Sequence, residues 1–112
     1  MADELDLMRG TLDLFVLKTL SWGPMHGLAI VRWLENVTQS QLQVEEGALY
    51  PALHRMEQKG WLAADWGVTE NNRRARFYRL TARGRRQLAA HRSLWERYVS
   101  AATLVLSAEP NR

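Results

Sequence analysis

The 112-residue sequence contains no cysteine. This absence excludes disulfide bridges, thiolate metal sites and cysteine nucleophiles, and it fits a reducing cytoplasm. No apolar run approaches the ~18 residues that a membrane-spanning helix needs. The first four residues, Met-Ala-Asp-Glu, are acidic where a secretory signal would be basic. We therefore expect a soluble, cytoplasmic protein.

Groupings of residues that are typical of enzymes are missing as well. The three histidines, His26, His54 and His91, are far apart in the sequence and form no HxxxH pattern. No nucleophile is paired with a base, and no glycine-rich loop could hold a phosphate. We therefore expect no catalytic residue, no metal site and no cofactor.

Acidic residues are scarce in one part of the chain. Residues 73–97 contain nine arginines and one acid, Glu96, which gives a formal net charge of +8. Residues 1–72 contain five cations and ten acids, which is a balance of −5. Clustered guanidinium groups pair with phosphates and release counterions from DNA. The arginine-rich part is therefore expected to contact a polyanion, and a solvated arginine face is the alternative.

Helical periodicity organises the first sixty residues. Apolar residues recur at helical spacing over residues 5–20, which predicts a first helix with Gly10 in its interior. A second helix is predicted from residue 24 or 25 to about 36, and a third from Gly47 or Ala48 until the stop at Gly60. The third helix has one apolar face for packing, so its opposite face is free to enter a nucleic-acid groove. That apolar face consists of Leu49, Leu53 and Met56.

Residues suited to strands follow the third helix. Segments 63–68 and 75–80 flank a polar stretch and predict a β-hairpin. Thr81 is a natural N-cap for a last helix, whose apolar stripe is long for so small a core and favours pairing with a second copy of the chain. The fold class is therefore mainly α with a small β-hairpin, which is a winged helix-turn-helix with a C-terminal dimerisation helix.

The domain boundaries follow from this order of elements. Residues 1–80 are expected to form the DNA-binding winged helix-turn-helix, including the N-terminal helix. Residues 81–108 form the dimerisation helix of the same compact unit, and residues 109–112 form a disordered tail. The residues expected at the dimer interface lie on the first and last helices: Leu5, Met8, Leu12, Leu88, Trp95, Val99, Ala102 and Leu106.

The chain resembles the PadR family of bacterial transcriptional regulators over about residues 8–100. The resemblance rests on four motifs: Gly-Thr-Leu at 10–12, Gly-Pro-Met-His-Gly at 23–27, Gly-Ala-Leu-Tyr-Pro-Ala-Leu at 47–53 and Tyr-Arg-Leu-Thr-Ala-Arg-Gly at 78–84. The short C-terminal part is similar to the small-sized subgroup, which implies a homodimer on a palindromic operator, more often a repressor than an activator. The sequence departs from the family pattern at Leu28, Ala48 and Ala75.

The expected contacts with DNA lie on the third helix and at the tip of the hairpin. Each has an alternative: packing for Tyr50, a surface ion pair for Arg55, a surface or capping role for His54, and a solvated turn for the hairpin arginines. Phosphate contacts would fix the register on DNA, whereas base-edge contacts would read its sequence. The expected DNA-binding residues are Ala48, Tyr50, His54, Arg55, Asn72, Arg73, Arg74 and Arg76.

Trp95 suggests a second kind of partner. In some regulators similar to this one, a tryptophan on the last helix stacks a planar hydrophobic effector between the subunits, whereas an aromatic residue that fills the dimer core is the alternative. We expect a homodimeric repressor that binds double-stranded operator DNA, with a small aromatic or hydrophobic effector as a further partner. The rival hypothesis is a winged-helix module for protein–protein interaction that does not bind specific DNA.

Overall fold

The computed structural model describes residues 10–110. These residues form four helices and a three-stranded antiparallel sheet in the strand order β1-β3-β2. The predicted fold class, mainly helical with a small β-hairpin and a long last helix, is confirmed. The elements are α1 (Thr11–Leu20), β1 (Met25–His26), α2 (Gly27–Val37), α3 (Glu46–Gln58), β2 (Leu62–Val68), β3 (Arg74–Leu80) and α4 (Ala82–Leu106).

The core lies where the first three helices pack on one face of the sheet. The predicted apolar face of α3 is fully buried there, since Leu49, Leu53 and Met56 are each 0% exposed. Burial of such side chains contributes about 1.5–3 kcal/mol each to folding, which fixes α3 against the two other helices. The remaining buried members of this core are Val16, Leu17, Leu20, Ile30, Val31, Leu34, Val44, Ala52, Leu62, Tyr78 and Leu80.

The start of α1 differs from the prediction. Gly10 has a φ of +86° and lies just before α1, so the expectation that it lies inside the first helix is wrong. A left-handed conformation interrupts helical geometry, and glycine adopts it without a Cβ clash. The predicted interface residues Leu5 and Met8 lie outside the described residues.

The second helix begins later than predicted. Met25 and His26 form the two-residue strand β1, which pairs with Tyr78 and Phe77 of β3. Only after this pairing does α2 begin, with His26 as its N-cap: the imidazole Nδ1 accepts a hydrogen bond from the Ala29 amide at 3.3 Å. The structure thus gives His26 a structural role.

The predicted hairpin and the predicted cap of the last helix are confirmed. Strands β2 and β3 pair from Leu62 with Leu80 to Val68 with Arg74. The Thr81 hydroxyl donates a hydrogen bond to the Gly60 carbonyl at 2.6 Å and accepts one from the Gly84 amide at 3.0 Å, so a single side chain joins the end of α3 to the start of α4.

Helix α4 is the longest element and only partly covered. Its 25 residues span about 37 Å. Its first half packs on α1 and β3, whereas in its second half the large apolar side chains are mostly exposed. None of the helices in residues 10–110 is long and apolar enough to cross a membrane.

Candidate nucleic-acid interface

The outward face of α3 is the first component of the candidate interface. Ala48, Pro51 and His54 are exposed along this face, opposite the buried apolar stripe. Glu46 is an acid in the first turn, where it interacts favourably with the positive end of the helix dipole. The face therefore offers small and polar side chains to a ligand. Ala48 and His54 lie on it, and their contact with DNA stays a prediction.

Tyr50 is held in place by a glycine of α2. A Cβ atom at Gly27 would lie 2.6 Å from the Tyr50 ring and from its hydroxyl oxygen, so the ring packs directly on the start of α2. Tyr50 is nevertheless 43% exposed, and its hydroxyl forms no hydrogen bond with another residue of 10–110. Partial burial, followed by the negative charge of Glu46, raises the pKa of Tyr50, so the phenol stays protonated and can donate a hydrogen bond. Packing and phosphate contact are therefore compatible at this residue.

Arg55 is bound to α1. Its two terminal nitrogens donate to the two carboxylate oxygens of Asp13 at 2.7 and 2.8 Å, a bidentate pair across 42 positions of the sequence. The hydrogen bond from Arg55 to Asp13 raises the already high pKa of the guanidinium group. This is the ion pair that the sequence left open as the alternative to a DNA contact, and contact of Arg55 with DNA stays a prediction.

Strands β2 and β3 form the wing, and the loop between them is its tip. The Thr69 amide donates to the Arg73 carbonyl at 2.8 Å, and the Asn72 amide donates to the Thr69 carbonyl at 2.8 Å. The Arg73 amide also donates to the Thr69 hydroxyl at 3.2 Å. Asn72 has a φ of +61°, a conformation that asparagine tolerates better than most residues. These bonds hold the tip in a defined shape and present Arg73 at its end.

The wing arginines have different environments. Arg73 and Arg74 are exposed, and neither forms an ion pair with another described residue. The Arg74 guanidinium lies over the Trp66 ring, 4.6 Å from its centroid. Arg76, in contrast, donates to the Glu57 carboxylate of α3 at 2.9 Å, so it ties the wing to the helix. Within the wing, the arginines that form no ion pair with a described residue, Arg73 and Arg74, therefore lie at its outer end.

A groove of about 420 Å³ separates the wing from the helices. Tyr50 and the three wing arginines line it, so the structure brings together predicted residues from both α3 and the hairpin. Arg32 and Trp66 line it too, and sequence reasoning did not predict either of them as a contact. Arg32 lies on the exposed side of α2 between apolar core positions, a pattern that could have identified it.

The expected dimer residues divide into two groups. Leu12 and Leu88 pack against the chain's own core, so the structure accounts for them without a partner. Val99 is 40% exposed and Leu106 is 85% exposed, while Trp95 and Ala102 are half-buried.

A second groove, of about 510 Å³, lies between the start of α1 and the middle of α4. Trp95 lines it, and the Trp95 and Tyr98 rings lie 6.2 Å apart between centroids. The groove is mostly apolar and therefore suits a hydrophobic molecule. The effector role of Trp95 stays a prediction.

Comparison with known proteins agrees with this geometry. The sequence model of the transcriptional regulator PadR-like family matches residues 16–90. The chain is 32% identical over 92 residues to the transcriptional regulator Rv3488 of Mycobacterium tuberculosis, covering 81% of each protein. A PadR family transcriptional regulator from Eggerthella lenta has 30% identity and a TM-score of 0.78 over 90% of this chain and 86% of its own. A transcriptional regulator from Clostridium thermocellum has 25% identity and a TM-score of 0.76, with 90% of this chain and 96% of that protein covered.

Proposed function

We propose that this chain, which belongs to the PadR-like family of transcriptional regulators, is a homodimeric repressor that binds a palindromic operator in the bacterial cytoplasm. Transcriptional regulation is the function of the family. The dimer, the operator and the release of DNA by an effector are the finer parts of the proposal.

One observation carries the proposal. Tyr50 of α3 and the two unpaired arginines of the wing, Arg73 and Arg74, line the same groove. A DNA backbone strand that runs along this surface would meet hydrogen-bond donors from two elements at once. Phosphate contacts from the wing would hold the register, while side chains of α3 would reach base edges in the major groove.

The exposed second half of α4 supports dimerisation. Leu104, Val105 and Leu106 are 72–85% exposed, and a row of such residues is costly unless a partner covers it. Two copies joined through α1 and α4 would present their α3 helices about one DNA turn apart, ~10 bp between half-sites. An effector in the apolar groove beside Trp95 would change the spacing of the two α3 helices and hence the affinity for DNA.

The dimer is tested by replacing Val99, which is exposed on α4, with glutamate. A glutamate at a dimer interface would be desolvated without a partner, so light scattering should show a shift toward monomer at equal protein concentration. Gln87→Glu, on the first half of α4, introduces the same charge and should leave the mass unchanged. A dimer that persists in Val99→Glu would refute this interface.

DNA binding is tested by fluorescence anisotropy with the DNA upstream of the chain's own gene and with a scrambled duplex, at two salt concentrations. A repressor that regulates its own gene should bind the first duplex tightly and the second weakly, and affinity should fall steeply with salt. Equal, weak binding to both would mean that the operator lies elsewhere. Binding of neither duplex at low salt would favour a module for protein–protein interaction.

The wing is tested by replacing both Arg73 and Arg74 with alanine. Each lost phosphate contact reduces the slope of log affinity against log salt by about 0.9, so we expect a reduction of about 1.8 for each protomer. The matched control replaces Arg92 and Arg97 of α4, which removes the same charge away from the groove. An unchanged affinity and slope in the wing variant would contradict the proposed contact.

A further inference from the structure

Trp66 is a large aromatic residue with no part in the core. It lies near the outer end of β2, and 60% of it is exposed to solvent. Tryptophan is enriched at interfaces, because its large ring is apolar while its indole N–H is a hydrogen-bond donor. The packing of the wing itself does not explain Trp66, because its cross-strand partner is the arginine at position 76.

The register of the hairpin determines which way Trp66 points. Side chains alternate between the two faces of a strand, and directly paired residues of neighbouring strands share a face. Ala64 pairs with the buried Tyr78, and Trp66 is the next residue on that same face. Closer to the core this face covers buried residues, and at Trp66 it borders the groove. Trp66 therefore lines the groove together with Tyr50.

Arg74 lies diagonally across the hairpin from Trp66 on this face, since Arg74 pairs with Val68, two residues further along β2. Its guanidinium carbon is 4.6 Å from the centroid of the indole ring. A guanidinium group that stacks on a ring keeps the N–H donors at its edges free. Arg73, one residue away, has no aromatic contact within the described chain.

We propose that Trp66 is a positioning residue for DNA binding: its indole ring holds the Arg74 guanidinium over the groove, with the N–H edge of that group turned toward a DNA phosphate. This inference rests on the proposed function. A free arginine loses side-chain conformational entropy when it binds phosphate. The stack on Trp66 already restricts the Arg74 side chain in the absence of DNA, so less entropy is lost on binding. Trp66 thus acts through Arg74 and makes no base contact of its own.

The strength of an exposed cation–π contact sets the size of the effect. Such a contact corresponds to about a two- to fivefold change in an equilibrium constant. We expect Trp66→Val, which keeps a residue suited to strands, to weaken binding of the upstream duplex about threefold for each protomer. Trp66→Phe retains a weaker stacking surface and should fall between Trp66→Val and the unchanged protein.

A double-mutant cycle tests whether the effect passes through Arg74. In an Arg74→Ala background, Trp66→Val should cause no further loss of affinity. In an Arg73→Ala background it should still cause the full threefold loss. An equal loss in both backgrounds would show that Trp66 acts on DNA independently of Arg74, and no loss in either would show that it has no role in binding; both results overturn the proposal.

Trp22 provides a matched control. It is another exposed tryptophan, at 68%, with a cation, Lys18, 4.8 Å from its ring centroid, but it does not line the groove. Trp22→Val should leave the affinity for DNA unchanged. A loss as large as that of Trp66→Val would mean that removal of any exposed tryptophan disturbs the fold, which would contradict the specific role of Trp66.

A measurement without DNA separates failure of this inference from failure of the proposed function. The indole N–H resonance of Trp66, assigned by its loss in Trp66→Phe, should shift in Arg74→Ala and stay unchanged in Arg73→Ala. An unshifted resonance in Arg74→Ala would refute the stack whatever the protein binds. A shifted resonance together with no binding to any duplex would refute the proposed function, and with it the role of the stack in DNA binding.

Discussion

Replacing Arg55 by methionine tests how α3 is fixed to α1. Methionine keeps an apolar stem of similar length but removes both hydrogen bonds to Asp13. The Asp13 side chain is only 12% exposed, so its carboxylate would lose its partner in a largely buried position. The expected result is a lower free energy of unfolding.

The structure bounds the size of this loss. Exposed ion pairs contribute about 0.2–1 kcal/mol, and removal of one partner of a fully buried pair costs about 3–5 kcal/mol. The pair of Arg55 and Asp13 lies between these limits, because the arginine side chain is 47% exposed and water screens it. Asp13 also lies in the first turn of α1, where the helix dipole stabilises the remaining charge. We therefore expect a loss of about 1–2 kcal/mol.

The assay is urea unfolding at one fixed protein concentration, since the stability of the proposed dimer would depend on concentration. Arg92→Met is the matched control. Arg92 pairs with Glu96 at 3.3 Å, but both side chains are about 60% exposed, so its loss should cost less than about 0.5 kcal/mol. If Arg55→Met were no more destabilising than Arg92→Met, the reasoning about the buried carboxylate would be refuted.

The same pair allows a test of whether Arg55 contacts DNA. Asp13→Asn removes the opposing charge and leaves the arginine free to reach a groove. If Arg55 binds DNA, Asp13→Asn should preserve or raise the affinity while Arg55→Met lowers it. If Arg55 only positions α3, both variants should lower the affinity for DNA, each in proportion to how far it disturbs the helix.

Three further predictions follow from close packing and from burial. Gly27→Ala should displace the Tyr50 ring and weaken DNA binding about as much as Tyr50→Ala in an anisotropy titration. The loss of stability should be small, because the end of the Tyr50 side chain can move. Full affinity of Gly27→Ala would contradict a contact between Tyr50 and DNA. Gly84→Ala would place a Cβ against the backbone carbonyl of Trp61, so we expect a severe loss of thermal stability. Gly47→Ala, with open space around it, should be neutral or stabilising by up to about 1 kcal/mol. Equal melting temperatures for the two variants would refute the predicted clash. Burial raises the pKa of the Tyr78 hydroxyl. The stability that the protonated side chain contributes is therefore complete below about pH 10 and is lost as the pH rises through the folded-state pKa. Between about pH 9 and 11 the free energy of unfolding should fall less for Tyr78→Phe than for the unchanged protein, and an identical fall would contradict this assignment.

Local patterns in the sequence were sufficient to predict the main elements. The apolar spacing in α3, the N-cap at Thr81 and the two strand segments around a polar loop each depend on residues a few positions apart, which is the range over which helix and strand periodicity act. The charge contrast between the arginine-rich segment and the rest of the chain is likewise a property of composition. The two-residue strand β1 could not be predicted this way, because it is too short to show a period and exists only through its pairing with β3.

The tertiary structure alone decided the partners of the functional side chains. Arg55 was a candidate for DNA contact on helix geometry, yet Asp13, 42 positions away, binds its guanidinium group. Trp66 was not predicted as a contact from the sequence, yet the register of the hairpin places it in the groove with Arg74. Such contacts depend on how distant segments pack together, and no pattern within a single segment contains that information. The sequence by itself determined most of the elements and where positive charge gathers, whereas packing determined which arginines form ion pairs and which stay unpaired.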